Sequence, residues 1–329
     1  MIINQAKRMR DSLLEQIYAK MHEDSKIFFL SDDLGAPILD KLKEDFKDRF
    51  INVGIAEQNL INVATGLALE GYTVYTYGLA PFFLRAYEQI RINLALSAQL
   101  REINVNMIGV GAGVSYDVSG PTHHCVEDLI VMRALPNIEV FSPSDWYTAE
   151  KFVDYSIKVK KPKYIRLDGK PLPRIYDENT YFNWDDGFIE IEKGDDICIL
   201  STGFPTHMSL KIIKRLQEMD KNIGLIDVFM LKPINENSLF NIIKDYKHLI
   251  TIEEAFIGKG GLDTIILNIL NDNNSKILLK RFGFKDEYLF KFGGRELLYK
   301  QHSFDEDSIV KTILEMSKKS LHNKSCDGG

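Results

Sequence analysis

Short apolar runs separated by longer amphipathic stretches repeat along this chain, and that alternation limits its possible folds more than any other feature. Runs at 27–30, 73–77, 105–110, 138–141, 164–167, 197–201, 224–228, 249–252 and 277–282 have the length of buried strands. Segments at 9–22, 56–70, 86–99 and 148–159 read as helices. Alternation of this kind builds parallel sheets with helices on both faces, an α/β fold. At 329 residues the chain exceeds what one core usually serves, so two domains are expected. The stretch 168–196 lacks periodicity and holds Pro171, Pro173, Asp185-Asp186-Gly187 and Gly194. It reads as a connection. The expected division is a first domain at 1–170, a linker at 171–191, a second domain at 192–316 and a frayed polar tail at 317–329.

Composition narrows the functional classes. Hydrophobic content of 45% and charged content of 27% suit an ordinary globular protein. A net charge of -6 offers nothing to a nucleic acid. No apolar run approaches the ~18–20 residues of a membrane span. Residues 1–10 are polar and basic, without the apolar centre of a secretory signal. A cytoplasmic location with no membrane partner is therefore expected. Cys125, Cys198 and Cys326 form no CxxC pair, and Cys198 reads as a buried reduced thiol.

Several expected strands end in polar or glycine-rich turns, where ligands of open α/β sheets bind. Ser31-Asp32-Asp33 follows the first, residues 109–114 the third, and Ser142-Pro143-Ser144-Asp145 the fourth. The segment F-I-N-V-G-I-A-E-Q at 50–58 places Glu57 at the start of an apolar helix with small residues. A carboxylate there is costly to bury without a specific partner. Its plainer reading is an exposed first-turn acid favoured by the helix dipole. In A-P-F-F-L-R-A-Y-E-Q at 80–89, Phe82 offers an aromatic face for a flat heterocycle or for core packing. Arg85 offers a planar cation for a specific partner, or a solvated charge at a helix start. In G-P-T-H-H-C at 120–125, His123 is suited to hydrogen bonding or proton exchange near neutral pH. His124 lines the same loop or packs beneath it. Adjacent His123, His124 and Cys125 lack zinc-ligand spacing.

Together these segments closely resemble the pyrimidine-binding region of the transketolase and deoxyxylulose-phosphate synthase family. The resemblance implies a thiamine diphosphate-binding pyrimidine-type domain followed by a transketolase C-terminal-like α/β domain. Residues 194–203, 227–233 and 251–254 resemble strands of that second domain. By the resemblance, Glu57 bonds a pyrimidine nitrogen and favours the tautomer whose imine removes the thiazolium proton. Phe82 stacks on the pyrimidine. His123 and Arg85 meet substrate, with His124 beside them. Ser31-Asp32-Asp33-Leu34 resembles the family's S-A-D-L and puts Asp33 near the cofactor. Arg166 matches an acceptor-binding arginine of the deoxyxylulose synthases; a structural salt bridge is its other reading. The family aspartate that contacts a donor hydroxyl is replaced by Ser119, which cannot supply the same charge. Asp117 stands two residues too early to align, and Pro37 occupies the place of a phosphate-contacting serine.

The G-D-G…N motif that holds metal and diphosphate is missing. Gly194-Asp195-Asp196 with Asn222 imitates it without the second glycine and before a strand rather than after one, so no metal ligand is expected in this chain. The resemblance thus covers only the second half of a full transketolase. It implies an N-terminal transketolase-like partner subunit carrying G-D-G…N, which binds Mg2+ or a similar ion. Two copies of each chain would form a heterotetramer, with homodimerisation within it. The implied reaction moves a two-carbon ketol unit from a small keto donor to an aldehyde acceptor. Other readings are the beta subunit of a 2-oxoacid dehydrogenase or decarboxylase, a deoxyxylulose-synthase-like carboligase, and a non-catalytic scaffold subunit.

Overall fold

The computed structural model describes residues 6–326, with side chains through residue 317. Twelve strands follow in chain order among the described residues. The first six are β1 Ile27–Ser31, β2 Phe50–Asn52, β3 Thr73–Leu79, β4 Val105–Val110, β5 Glu139–Phe141 and β6 Lys163–Leu167. Then come β7 Phe188–Glu192, β8 Ile197–Ser201, β9 Gly224–Val228, β10 Met230–Lys232, β11 His248–Phe256 and β12 Leu278–Phe284.

The first sheet has the order β10-β5-β6-β4-β3-β1-β2. Its strands are parallel except for β10, which runs antiparallel to β5. Apolar side chains cover both faces, so the central strands are buried along nearly their whole length, with Thr76, Asn106 and Arg166 the polar residues that interrupt their apolar runs. On one face Met9, Leu13 and Ile17 of helix Met9–Glu23 and Phe152 and Val153 of helix Trp146–Lys158 pack with Phe29, Tyr75 and Ile108. Asp145 caps the second of these helices by accepting the Thr148 N–H at 2.8 Å. On the other face Leu60, Ile61 and Ala64 of helix Glu57–Leu69 pack with Leu30, Val74 and Val105.

The second sheet has the order β12-β11-β8-β9-β7, with β7 antiparallel to β9. The apolar layer behind helix Glu57–Leu69 continues into this domain through Leu200, Ile226, Leu249 and Ile266. β10 leaves the second domain directly after β9 and closes the edge of the first sheet. The two sheets are therefore joined by strand pairing as well as by packing.

Local departures from expectation have local causes. β7 lies in the last part of the stretch read as linker and adds an edge strand to the second sheet. Helix Glu306–Cys326 occupies most of the segment read as a frayed tail; residues 327–329 lie outside the described residues. The helix expected at 86–99 is broken into Tyr87–Gln89, a wide π-helical stretch Ile90–Leu96 and a tight 3-10 turn Ser97–Gln99. The turn that imitates a metal motif is closed by its own chain: Asn222 Nδ2 donates to Asp195 Oδ1 at 3.0 Å, and Lys247 pairs with Asp196 at 2.8 Å. No helix among the described residues is long and apolar enough to cross a membrane.

Candidate cofactor and substrate site

β4, β3, β1 and β2 are consecutive in the first sheet, and their carboxyl ends share one edge. From β1 the chain winds outward to β2 and then back across to β3. A crevice opens at such a reversal. The loops after these four strands carry nearly every residue singled out in the sequence.

Glu57 is the first residue of helix Glu57–Leu69 and is only 3% exposed. Its pairing with a cation is loose: Arg85 Nη1 lies 3.5 Å from Oε2, and the arginine side chain is 67% exposed. The helix N-terminus favours a negative charge there. A carboxylate so enclosed and so loosely paired suits a ligand better than it suits structure.

Two acids end β1 and behave differently. Asp33 is exposed, adopts a left-handed φ of 73°, and accepts a 2.8 Å hydrogen bond from Asn52 Nδ2. Asp32 is buried, with no partner for Oδ1. Burial, and then the neighbouring Glu57 charge, push its carboxyl up to about 6. Sequence reading singles out Asp33 and passes over Asp32. The available signal is a second aspartate placed directly at the end of an apolar strand.

Phe82 and Arg85 lie on the short helical turns after β3. The Phe82 ring meets His123 edge-on, with centroids 5.6 Å apart and planes at 64°. Thr122 Oγ1 engages His123 Nδ1 at 3.0 Å. Beside it His124 is buried with both ring nitrogens unpartnered, and burial favours its neutral form against the pull of Asp117.

Ser119 is exposed on this loop, its N–H donating to Tyr116 O at 3.0 Å. Asp117 cannot substitute for the family's acid here. It is buried, bound by Lys170 and by the Arg295 N–H at 2.9 Å. Burial opposes its ionisation, yet these cationic and hydrogen-bonding partners hold its carboxyl below the usual range. Arg166 is likewise removed from the substrate edge. Its side chain is 1% exposed, with Nε on Asp128 Oδ2 at 2.8 Å and Nη2 on the carbonyls of Cys125 and Glu254 at 3.1 and 3.0 Å. The salt-bridge reading of Arg166 describes this geometry; the acceptor-binding reading does not, because no face of the guanidinium is open.

A buried carboxylate, an unpartnered carboxyl oxygen, an aromatic ring and an imidazole on one rim fit an aminopyrimidine and a hydroxylated substrate.

Comparison with known proteins identifies the family. Residues 5–173 match the model of the transketolase pyrimidine binding domain, and residues 188–309 match that of the transketolase C-terminal domain. The chain is 35% identical to one subunit of the apulose-4-phosphate transketolase of Actinobacillus succinogenes, over 83% of this chain and 86% of that one. It is 31% identical to human transketolase over 75% of this chain, but spans only 40% of that enzyme. A solved structure described as a split gene transketolase, inactive beta4 tetramer, superposes with a TM-score of 0.81 at 27% identity, covering 94% of this chain and 98% of that one. The chain therefore belongs to the thiamine diphosphate-dependent transketolase family, as the pyrimidine-binding and C-terminal half that split-gene members carry on a separate polypeptide.

Proposed function

We infer that this chain is the C-terminal subunit of a two-chain transketolase that moves a two-carbon ketol unit from a ketose donor to an aldehyde acceptor. The enclosed, loosely paired Glu57 at the sheet edge carries the reading. When bound, thiamine diphosphate supplies the reactive carbon and the electron sink for carbon–carbon cleavage. This chain orients it and manages protons. Glu57 holds a pyrimidine nitrogen, and Phe82 covers the ring. His123, fixed through Nδ1 by Thr122, presents Nε2 to exchange a proton with a donor hydroxyl. Ser119 meets that donor as a neutral hydroxyl. Asp33 and His124 complete the rim.

Arg85 is placed to receive an anionic substrate end. Two relatives are named for anionic ketoses: the apulose-4-phosphate transketolase, and a 6-deoxy-6-sulfo-D-fructose transketolase of a Clostridium species, one subunit of which is 27% identical over 94% of this chain. A donor or acceptor carrying phosphate or sulfonate follows for this chain. The second half of the cofactor site belongs to an N-terminal partner subunit, whose G-D-G…N motif holds Mg2+ and the diphosphate. Two chains of each kind form a heterotetramer. The inactive tetramer described for the structural relative supports dependence on that partner. The buried free thiols Cys125 and Cys198 suit a reducing cytoplasm.

Purification of the tagged chain from its native cells tests this reading. A stoichiometric partner with G-D-G…N, and ketol transfer by the complex from an anionic ketose, are expected. Pyruvate decarboxylation into a lipoyl acceptor without ketol transfer would place the chain among the 2-oxoacid dehydrogenase beta subunits. No thiamine-dependent turnover with the co-purifying partner would leave the scaffold reading.

A further inference from the structure

The edge that gathers Glu57, Phe82 and His123 also holds a carboxyl group to which the reading above gives no task. Asp32 directly follows β1 and is 7% exposed. Its backbone N–H donates to Tyr77 O of β3 at 3.2 Å, which seats it over the crevice between the two strands. The Leu34 amide reaches one side of the carboxyl, but Oδ1 is buried and has no partner. Leaving such an oxygen unsatisfied is costly, because its desolvation is not offset by a hydrogen bond. Folding alone gives no return for that cost.

The neighbouring strand accommodates this side chain. A Cβ at Gly78 would stand 2.3 Å from Asp32 Oδ2. Gly78 does not lie in the left-handed region, so its backbone makes no demand for glycine. The space taken by the Asp32 carboxyl makes that demand. Glu57 follows β2, the strand paired with β1, so the two acids stand at neighbouring strand ends, near enough for the Glu57 charge to act on Asp32. An aminopyrimidine carries both a donor amino group and acceptor ring nitrogens, and two carboxyl groups match that edge.

We propose that Asp32 is a further cofactor-positioning residue, whose unpartnered Oδ1 hydrogen-bonds a nitrogen of the bound aminopyrimidine beside Glu57. The inference rests on the thiamine diphosphate reading of the site.

The test compares wild type, Asp32→Ala and Asp32→Asn in the complex with the co-purified partner subunit. Thiamine diphosphate affinity is read by quenching of protein fluorescence, and the bound pyrimidine by its near-ultraviolet circular dichroism. Thermal unfolding of each isolated chain is the structural control. Asp32→Ala should bind thiamine diphosphate about tenfold more weakly and alter the dichroism of the bound ring. Its isolated chain should melt no lower than wild type, because an unsatisfied buried group is gone. Asp32→Asn, which keeps an acceptor and the shape, should recover part of the affinity. Unchanged affinity and dichroism in Asp32→Ala would overturn the proposal, and so would a lowered melting temperature with unchanged affinity. If Asp32→Ala does not assemble, wild-type affinity and dichroism in Asp32→Asn would overturn it. Failure of the wild-type complex to bind the cofactor would instead remove the underlying reading of the site.

Discussion

At the junction of the two domains, Arg166 is held by Asp128 and two carbonyls. Arg295 sits between Asp168 and Glu254 with its guanidinium 3.8 Å over Phe204. Tyr299 adds a 2.6 Å hydrogen bond to Glu254. At the edge of the first sheet, by contrast, Glu57 has one long contact, and Asp32 and His124 hold buried polar atoms with no partner. Both regions bury charge and both leave some polar atoms without a hydrogen bond, Asp128 Oδ1 and Arg295 Nε at the junction among them, but they differ in ion pairing: the junction charges face opposite charges at short range and the edge carboxyls do not. Burial works against the arginines at the junction, yet facing carboxylates raise their pKa above the ordinary value. At the sheet edge, burial and a like charge push Asp32 toward its neutral form. Charge paired within the chain is architecture; charge left unpaired at strand ends is what the proposed function assigns to a ligand.

That contrast breaks if edge and junction respond alike to mutation. The largest effect is expected at Glu57. Glu57→Ala should lower turnover of the complex by at least about a thousandfold while gel filtration shows normal assembly. Near-normal turnover would remove Glu57 from the mechanism. At the junction, Arg166→Ala strands Asp128 and should cost about 3–5 kcal/mol in denaturant unfolding of the isolated chain. Glu57→Ala should leave that stability near wild type. Equal losses in both variants would erase the distinction. A smaller effect is expected from His123→Ala: about a hundredfold lower turnover with unchanged thiamine diphosphate affinity. Loss of affinity instead would move His123 from substrate to cofactor.

The smallest effect sharpens the contrast by pH. The folded Asp32 carboxyl titrates near 6, above its unfolded value near 4, with Glu57 and Asp33 the acids that face it. Between those values the folded chain binds more protons than the unfolded one. Stability contributed by this group is therefore full below about pH 4 and lost as pH rises through about 6. Asp32→Asn should be more stable than wild type at pH 7.5, by up to about 2 kcal/mol, and level with it at pH 4. Equal stability of the two chains across that window would remove the unsatisfied-acid account of the edge.

The strands buried on both faces are legible in the sequence because their apolar runs have hard ends. β4, β8 and β9 match the expected limits residue for residue. β2 and β7 escape the apolar pattern, and β10 lies inside the 227–233 stretch that resembles second-domain strands but pairs with the first sheet instead. β2 and β10 are three residues long, and the Phe188–Glu192 edge alternates apolar and acidic residues. β10 owes its conformation to β5, a partner far earlier in the chain, which local pattern cannot reveal. At the site, Glu57, Phe82 and His123 stand out because ordered motifs surround them, and the fold brings their strand ends together. Their roles rest on the proposed function. Arg166 shows the opposite case. The same motif match is compatible with a ligand contact and with an ion pair, and only the position of Asp128 separates them. Asp32 leaves one signal in the sequence, its place directly after an apolar strand, but its seat against Gly78, a neighbour across the sheet, shows only in the structure.

Titrating thiamine diphosphate with Mg2+ into this chain alone, the partner alone and their complex tests the central claim most directly. The account predicts tight binding in the complex and none of comparable strength in either chain. Tight binding by either chain alone, or no binding by the complex, would contradict a cofactor site completed by two polypeptides.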